Sequence, residues 1–343
     1  MRVVIDGRYL CGRPSGIGQY VRALVSRLPA LAPELEFRIW TGPDWAPEQA
    51  PRDVQLRPIR AKSNSLATLC GLRRLDRLSP NDVFHATANV LGFGLPCPSV
   101  VTVHDTMWLD CVEECQPNRF LRPISRVYFR TGIMRALRKA SRVVTVSEAS
   151  AKAIERVDAA TSRRLRVIHH GFEASFCPPD APETAKQAAR QILGLDGDFL
   201  LVVGQNQPSK GHAVALRALA RCSNQRTQLV FVQRLGTGGE LREMARAAGM
   251  ANRVRFVAEL EGEGLIAVMQ SALAILQPSY GEGFGLPVLE AAACGCPVIA
   301  SNIEALQEVL GDAAIYAEVG DIEAWRRAID NLVASPELRA SLR

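Results

Sequence analysis

A glycine-rich stretch in the last quarter of the chain is the segment best suited to hold a reactive ligand. It covers residues 277–299 and reads Gln-Pro-Ser-Tyr-Gly-Glu-Gly-Phe-Gly-Leu-Pro-Val-Leu-Glu-Ala-Ala-Ala-Cys-Gly-Cys-Pro-Val-Ile. The pattern predicts a strand, a glycine loop, a helix with Pro287 near its first turn, and a second strand. Gly281, Gly283 and Gly285 allow close approach to the loop backbone, and the unpaired N–H groups of a helix N-terminus suit a diphosphate.

Two glutamates eight positions apart bracket this turn, so that Glu282 lies in the loop and Glu290 on the helix. A helix carboxylate beside a nucleotide can accept hydrogen bonds from the ribose hydroxyls, as the acidic residue of dinucleotide folds does. Either glutamate alone is better explained as a solvated residue at a tight turn. Together with the glycine loop, the pair indicates a nucleotide site.

The elements that must position these residues alternate between strand and helix along the whole chain. The first strand, residues 1–9, leads into a glycine loop over residues 11–18 and a helix over Tyr20–Leu31. Further helical patterns include Asn64–Leu78 and Arg122–Lys139. Alternating strands and helices predict parallel sheets covered by helices on both faces.

A proline-rich stretch interrupts this alternation and marks a connection between domains. Residues 176–184 include Cys-Pro-Pro-Asp-Ala-Pro, which suits neither a helix nor a central strand. A chain of 343 residues also exceeds what one hydrophobic core usually serves. We therefore predict two doubly wound, Rossmann-like α/β domains, over residues 1–175 and 185–343, joined by a linker over residues 176–184.

Composition excludes several classes of protein. With 48% hydrophobic and 22% charged residues and no low-complexity segment, the chain is typical of a folded globular protein. Its start lacks a signal peptide and no stretch is long enough to cross a bilayer, so we expect a cytoplasmic location. Nine cysteines without paired CxxC spacing predict reduced thiols, and we expect no metal site.

Positive charge is concentrated in the first half. Residues 1–180 hold 26 Lys/Arg against 17 Asp/Glu, whereas the remainder holds 15 against 18. Between Arg119 and Arg142 there are eight basic residues and no acid, with apolar side chains interleaved in an amphipathic pattern. This segment suits an anionic surface, such as the inner face of the plasma membrane or a lipid-phosphate acceptor. The alternative is the solvated face of a helix packed on the core.

The stretch over residues 277–299 resembles the E-x7-E signature of the retaining glycosyltransferase family 4. Members of that family have the GT-B architecture, in which two Rossmann-like domains face a central cleft. Three further segments resemble family motifs in the same order: the N-terminal glycine loop Gly16-Ile-Gly-Gln-Tyr20, the acceptor-side pair in Val103-His104-Asp105, and the phosphate-binding segment Val203-Gly-Gln-Asn-Gln-Pro-Ser-Lys210-Gly. The match covers nearly the whole chain and favours a bacterial mannosyltransferase-like member.

The resemblance implies a role for each matching residue. Lys210 would neutralise the donor diphosphate, Glu282 would hold the donor sugar near its anomeric carbon, and His104 would lie near the sugar and the acceptor. These three are the implied catalytic residues. The implied donor-binding residues are Gly16, Gly18, Ser209, Lys210, Arg234, Gly283, Phe284, Gly285, Leu286 and Glu290.

Two departures from the family pattern bear on activity. Members commonly carry an arginine directly before the phosphate-binding lysine, whereas this chain has Ser209. A guanidinium aimed at developing charge contributes on the order of several kcal/mol, so either Arg234 replaces it or turnover is weak. The sequence also stops at Leu342-Arg343 without the family's usual closing helix, which we expect to loosen domain closure.

The resemblance implies retaining transfer of a hexose from a nucleotide sugar, with GDP-mannose or a UDP-sugar favoured. The implied acceptor is a cell-surface glycan or a lipid-linked oligosaccharide. We expect no metal and no cofactor, because a lysine and a helix N-terminus can stabilise the leaving diphosphate, and no nucleic-acid partner. Two alternatives stay open: a catalytically weak sugar-nucleotide-binding subunit that needs a partner, and another GT-B enzyme such as an epimerase or a phosphorylase.

Overall fold

A computed structural model describes residues 1–10, 15–42, 45, 54–233, 239–258 and 260–342. The chain divides into two compact units, Met1–His170 and Gly171–Arg343. The division precedes the predicted boundary at residue 175, and residues 176–184, the predicted linker, belong to the second unit.

The first unit contains one parallel sheet. Its described strands are β1 Arg2–Asp6, β2 Glu36–Thr41, β3 Val54–Pro58, β4 Val83–Ala86, β5 Ser99–Thr102, β6 Arg142–Thr145 and β7 Leu165–Val167. Its described α-helices are α1 Gly16–Leu31, α2 Leu66–Cys70, α3 Leu72–Leu75, α4 Met107–Asp110, α5 Val112–Cys115, α6 Arg122–Lys139 and α7 Glu148–Val157. The strand order is β3-β2-β1-β4-β5-β6-β7.

The second unit is built in the same way. Its described strands are β8 Phe199–Val203, β9 Gln228–Gln233, β10 Val254–Ala258, β11 Ala274–Gln277, β12 Val298–Ser301 and β13 Ala314–Ala317. Its described α-helices are α8 Pro182–Leu193, α9 His212–Arg221, α10 Gly239–Ala247, α11 Gly262–Ser271, α12 Leu286–Ala293, α13 Glu304–Leu310, α14 Ile322–Ala334 and α15 Pro336–Ser341. The strand order is β10-β9-β8-β11-β12-β13.

The central strand β8 shows why helices cover both faces of the second sheet. Leu200 and Val202 belong to one hydrophobic cluster, whereas Phe199 and Leu201 belong to another. Successive strand side chains point to opposite faces, so a strand of apolar residues requires a core on each side. Both sheets reverse their strand order once, between β1 and β4 and between β8 and β11. Ligands of open α/β sheets bind at the carboxyl ends of the strands at such points.

The first helix begins earlier than predicted. Gly16 and Gly18 lie in the first turn of α1 rather than in a loop, because Ser15 caps the helix by accepting a hydrogen bond from the Gly18 amide at 3.1 Å. Residues 11–14 of the predicted glycine loop lie outside the described residues. The predicted helix over Asn64–Leu78 is wrong as a single helix, because it is divided at Gly71 into α2 and α3.

The sequence analysis missed the edge strand β3 and five of the described helices: α4, α5, α8, α13 and α15. The edge strand β3 is mostly exposed, so it has no continuous apolar run to mark it. Helix α8 starts at Pro182, inside the predicted linker. Proline is compatible with the first helical position because that residue needs no N–H donor. A proline cluster therefore marked a helix start as well as a connection.

Candidate active site

Lys210 and Glu282 come from neighbouring strands at the point where the second sheet reverses its order. After β8 the chain reaches a 3-10 turn, Pro208–Lys210, and then α9. After β11 it runs through the predicted glycine loop into α12. Because β8 and β11 are adjacent and parallel, both loops leave the same edge of the sheet. Residues 72 positions apart in sequence are thereby brought into contact.

The two side chains form a bidentate ion pair. The Lys210 Nζ atom lies 2.8 Å from each carboxylate oxygen of Glu282. Glu282 Oε1 also accepts hydrogen bonds from Gln277 Nε2 at 2.6 Å and from Ser279 Oγ at 2.7 Å. Burial opposes ionisation of Glu282, but Lys210 and these hydrogen bonds outweigh it, so the pKa of the carboxyl is lowered.

The two partners differ in accessibility. The Glu282 side chain is 9% exposed, whereas the Lys210 side chain is 29% exposed. Glu282 is therefore held ionised in one orientation, and the ammonium group of Lys210 can still be reached by a ligand.

A backbone contact fastens the two loops together. The Tyr280 amide donates to the Ser209 carbonyl at 2.8 Å. Gly211 has a φ of +62°, and a Cβ there would collide with the Pro278 carbonyl. Ser209, one of the predicted donor-binding residues, is buried at this contact. The position at which the family resemblance implies an arginine is thus filled here by a small, uncharged residue that packs inside the loop.

The N-terminus of α12 faces the same loop. Gly285 precedes the helix with a φ of +102°, and no side chain caps the helix there. A Cβ at Gly285 would come within 2.6 Å of Leu306 Cδ2, so only glycine fits without a shift. The first amides of a helix, here beginning with Leu286, lack intrahelical partners and favour an anion. Phe284 is buried beside them.

Glu290 lies on α12, one further turn into the helix. Burial, together with the nearby carboxylate of Glu173, raises the pKa of Glu290 to about 7. Its ionisation is therefore sensitive to pH in the physiological range. A carboxylate at this place can accept hydrogen bonds from hydroxyl groups of a ligand.

Three polar residues of this site were not predicted from the sequence: Gln277, Ser279 and His212. Gln277 and Ser279 are buried and orient Glu282. His212 is buried beside Lys210, and its Nδ1 accepts from Gln233 Nε2 at 3.0 Å. Burial, with a smaller effect of Lys210, lowers the pKa of His212 to about 4. The available signal was a polar residue, Gln277, at the end of an otherwise apolar strand.

The first unit contains His104, which follows β5. Its Nε2 lies 2.9 Å from the Thr87 carbonyl, so Nε2 must carry the proton and donate it. The backbone N–H of His104 donates to Asn89 Oδ1 at 2.7 Å. Burial lowers the pKa of His104 to about 4, despite the opposing effect of the Thr87 carbonyl. His104 is therefore a neutral, oriented imidazole at neutral pH.

Aromatic rings surround His104. The Tyr20 ring meets it edge-on with centroids 5.1 Å apart, and the His170 ring stacks on it at 5.8 Å. The Tyr20 hydroxyl lies 2.8 Å from Thr102 Oγ1, which also contacts His85 Nε2 at 2.9 Å. In the sequence, Tyr20 marked only the end of a loop motif and the start of a helix, and no site role was predicted for His170. The fold makes both of them neighbours of His104.

The predicted site residues thus divide between the units. Gly16, Gly18 and His104 belong to the first unit, and the other predicted site residues with described positions belong to the second. Arg234, the proposed replacement for the missing arginine, lies outside the described residues. Among the residues that the structure describes, no group of three His, Cys, Asp or Glu side chains could hold a metal ion.

Comparison with known protein families accounts for both units. Residues 14–176 match the model of Glycosyltransferase Family 4, and residues 183–343 match the model of Glycosyl transferases group 1. The first half of the chain is therefore similar to a glycosyltransferase family 4 domain, and the second half to a group 1 domain. The predicted resemblance is confirmed at this level.

Curated relatives and solved structures agree with this assignment. The D-inositol 3-phosphate glycosyltransferase of Mycobacterium sp. (strain KMS) is 32% identical over 212 residues, which are 59% of this chain and 47% of that protein. The chain therefore spans about half the length of such relatives. The O-antigen chain mannosyltransferase B of Escherichia coli is 27% identical over 334 residues, 90% of this chain and 84% of that protein.

Solved structures establish the fold. WaaG, described as a glycosyltransferase involved in lipopolysaccharide biosynthesis, aligns with a TM-score of 0.78 at 16% identity, covering 100% of this chain and 93% of WaaG. The sucrose-phosphate synthase of Thermosynechococcus elongatus aligns with a TM-score of 0.76 at 21% identity, covering 99% and 91%. The predicted GT-B fold of two parallel α/β domains is confirmed. In the described ranges no helix is long and apolar enough to cross a membrane.

Proposed function

We propose that this chain is a glycosyltransferase that binds a nucleotide-sugar donor through its second unit. The observation that carries the proposal is the ion pair of Lys210 and Glu282 beside the N-terminus of α12, at the carboxyl ends of β8 and β11. A cation and a helix N-terminus together favour a diphosphate, and the buried carboxylate favours sugar hydroxyls.

Each residue then has one task. Lys210 and the backbone amides of Gly283, Phe284, Gly285 and Leu286 bind the diphosphate and the donor sugar. Glu282 accepts hydrogen bonds from the sugar, and Glu290 accepts them from the ribose. Lys210 is held by its pairing with Glu282, and its side chain is exposed enough for the ammonium group to be reached by a phosphate oxygen.

Transfer proceeds with retention and without a metal in this proposal. Negative charge develops on the leaving diphosphate while positive charge builds on the sugar, and Lys210 with the α12 N-terminus stabilises the leaving group. A leaving phosphate oxygen takes the proton of the acceptor hydroxyl during front-face attack. His104 is neutral, so it acts as a polar contact near the sugar and acceptor and adds no charge there.

The donor is GDP-mannose or a UDP-sugar, and the acceptor is a cell-surface glycan or a lipid-linked oligosaccharide. The mannosyltransferase name of the Escherichia coli relative supports the first donor. The second is supported by HepE of Anabaena, solved in complex with UDP and glucose, which aligns with a TM-score of 0.75 at 20% identity.

The acceptor side includes a membrane surface in this proposal. On and just before α6, Phe120, Ile124 and Val127 are each between 65% and 77% exposed. Arg119 stacks over the Phe120 ring, and Arg126 is exposed, although it pairs with Glu113 at 2.6 Å. Apolar side chains that alternate with arginines suit an anionic lipid surface.

Calorimetric binding to UDP-, GDP- and ADP-sugars tests the donor site without knowledge of the acceptor. Micromolar binding to one donor, abolished in Glu290→Ala, supports the proposal and names the base. Absence of binding across the panel contradicts it. Sedimentation with phosphatidylglycerol vesicles tests the membrane surface: Ile124→Ser with Val127→Ser should reduce binding, whereas Ile168→Ser, at another exposed apolar side chain, should not.

Burial of Ser209 favours a second candidate, a sugar-nucleotide-binding subunit with weak turnover that needs a partner. One cation that would stabilise the leaving group is absent at this position. Transfer by the purified chain alone decides between the two. Donor binding without transfer favours the subunit, and donor-dependent transfer at an ordinary rate excludes it.

A further inference from the structure

The first residues of the second unit run beside the helix that carries Glu290. Glu173 acts on Glu290, as its effect on the pKa of that carboxyl shows. Further along, a Cβ at Gly295 would lie 3.9 Å from Pro178 Cβ, an ordinary van der Waals contact. The Gln270 side chain on α11 donates to the Cys177 carbonyl at 2.7 Å and holds the segment there.

Two pairs of residues connect the segment with α12: Glu173 with Glu290, and Cys177 with Cys294. Glu173 and Cys177 are four positions apart on the segment, and Glu290 and Cys294 are four positions apart at α12, which is one helical turn. Cys177 is adjacent to Pro178 and Cys294 is adjacent to Gly295, where an added Cβ would come into van der Waals contact with Pro178. Both the thiol and the backbone of Cys177 act electrostatically on the Cys294 thiol. The two cysteines therefore lie next to each other, although they are 117 positions apart.

We propose that Cys177 and Cys294 are a thiol–disulfide modification site, at which a low-molecular-weight disulfide such as oxidised glutathione converts them into an intramolecular disulfide. The product fastens the beginning of the second unit to α12. Formation of the bond does not depend on the proposed glycosyltransferase activity.

Disulfide formation takes two steps, and the exposure of the two thiols determines which of them reacts first with the reagent. Cys177 is exposed, whereas Cys294 is 1% exposed and has a pKa raised to about 11 by burial, with smaller effects of Cys177 and Glu290. The Cys177 thiolate therefore attacks the reagent first, forming a mixed disulfide and releasing one reagent thiolate. The Cys294 thiolate then attacks the Cys177 sulfur and releases the second. Two protein thiols lose two electrons to the reagent, and their two protons pass to the two released thiolates.

The neighbouring Cys296 provides a matched control. It is as buried as Cys294 and lies only two positions away. Its Sγ, however, lies 3.6 Å from the Pro297 carbonyl and 4.0 Å from the Ala272 carbonyl. Oxidation that depends on proximity to Cys177 should therefore select Cys294 and leave Cys296 reduced.

The test is mass spectrometry of the full chain after incubation with oxidised glutathione and tryptic digestion without reductant. Cys294 and Cys296 lie on the same tryptic peptide, because no Lys or Arg occurs between Arg255 and Arg326, so serine variants assign the bond. We expect a linked peptide in the unaltered chain and in Cys296→Ser. In Cys294→Ser we expect only the mixed disulfide at Cys177, and in Cys177→Ser no linkage.

Two results would overturn the proposal. One is an unaltered chain that accumulates the mixed disulfide at Cys177 without any link to Cys294. The other is a link that persists in Cys294→Ser and disappears in Cys296→Ser. The measurement on the unaltered chain is decisive even where a variant fails to fold. Slower hydrogen exchange over residues 171–178 after oxidation, reversed by dithiothreitol, should accompany the bond.

Discussion

Polar groups at the carboxyl ends of the two sheets are stabilised in opposite ways. After β8 and β11, Glu282 stays ionised because it pairs with Lys210 and accepts hydrogen bonds from Gln277 and Ser279. After β5, His104 has no charged partner of this kind among the described residues and is kept neutral by burial, with its Nε2–H hydrogen-bonded to a carbonyl. Burial is common to both regions, and the presence of a countercharge decides the outcome.

This difference indicates separate roles for the two regions, one in binding the donor and the other in turnover. A paired lysine can exchange its carboxylate partner for a diphosphate oxygen. The exchange is favourable because the ammonium group then still has a negatively charged partner. A neutral imidazole among aromatic rings suits an uncharged sugar or acceptor. We therefore expect changes in the second unit to affect donor affinity, and changes around His104 to affect turnover.

The largest effect is expected for Lys210→Met, which keeps the length of the side chain and removes its charge. Donor-dependent transfer should fall by about 10²-fold or more, because the diphosphate loses its cation and Glu282 loses its countercharge. Donor binding measured by calorimetry should weaken in parallel. The matched control is Lys186→Met, which removes the lysine of an exposed ion pair with Glu183 on α8 and should change neither quantity. Full activity of Lys210→Met would show that Lys210 does not stabilise the donor diphosphate.

The second prediction separates His104 from the donor site. His104→Phe should lower kcat on the order of 10²-fold while leaving the dissociation constant of the donor unchanged. Steady-state kinetics together with calorimetry provide both values. His169→Gln, at the exposed neighbour of His170, is the control and should behave like the unaltered chain. A loss of donor affinity in His104→Phe would contradict the division between the two regions.

The third prediction concerns the raised pKa of Glu290. If the ribose is bound by the carboxylate, donor affinity should fall as the pH falls below about 7, by up to about tenfold per pH unit. Calorimetry between pH 5.5 and 8.5 measures this. In Glu290→Gln the dependence should disappear along with much of the affinity. A pH profile that is the same in both proteins would show that Glu290 does not bind the donor.

The same shift also predicts an effect on stability, with a definite sign. The folded chain holds the Glu290 proton up to about pH 7, whereas the unfolded chain releases it near the ordinary value of 4.5. The cost of ionising the buried carboxyl therefore grows as the pH rises from about 4.5 to 7 and stays constant above. Glu290→Gln should raise the free energy of unfolding above pH 7 and leave it unchanged below about 4.5, as urea titrations can test.

The smallest effects are expected on stability, at two glycines that the sequence analysis had assigned together to donor binding, Gly285 and Gly16. Gly285→Ala should destabilise the second unit by about 1–3 kcal/mol, because its φ is positive and a Cβ would meet Leu306. Gly16→Ala should stabilise α1 by up to about 1 kcal/mol, because nothing lies within 4 Å of an added Cβ. Thermal unfolding of both variants measures the difference. Equal changes in thermal stability for the two variants would contradict this difference in backbone conformation and packing.

The parts of the fold that the sequence predicted well are those with strong periodicity. Helix α6 has the predicted bounds Arg122–Lys139. The edge strand β3 and helix α8 were missed, because an exposed edge has no apolar alternation and Pro182 conceals a helix start. Local patterns are reliable where burial is regular along an element and fail at edges and ends.

By itself, the sequence indicated the alternation of strands and helices in two halves and a nucleotide site at the loop that carries Glu282, because apolar periodicity and glycine spacing are local properties. The GT-B class and the role of Lys210 were implied by the resemblance to glycosyltransferase family 4. Only the tertiary structure decided that Lys210 pairs with Glu282, that Ser209 is buried, and that Tyr20 and His170 surround His104. These relations join residues that are distant in sequence. The order of strands within the parallel sheets brings them together, and side-chain periodicity along the chain does not specify which strands become neighbours.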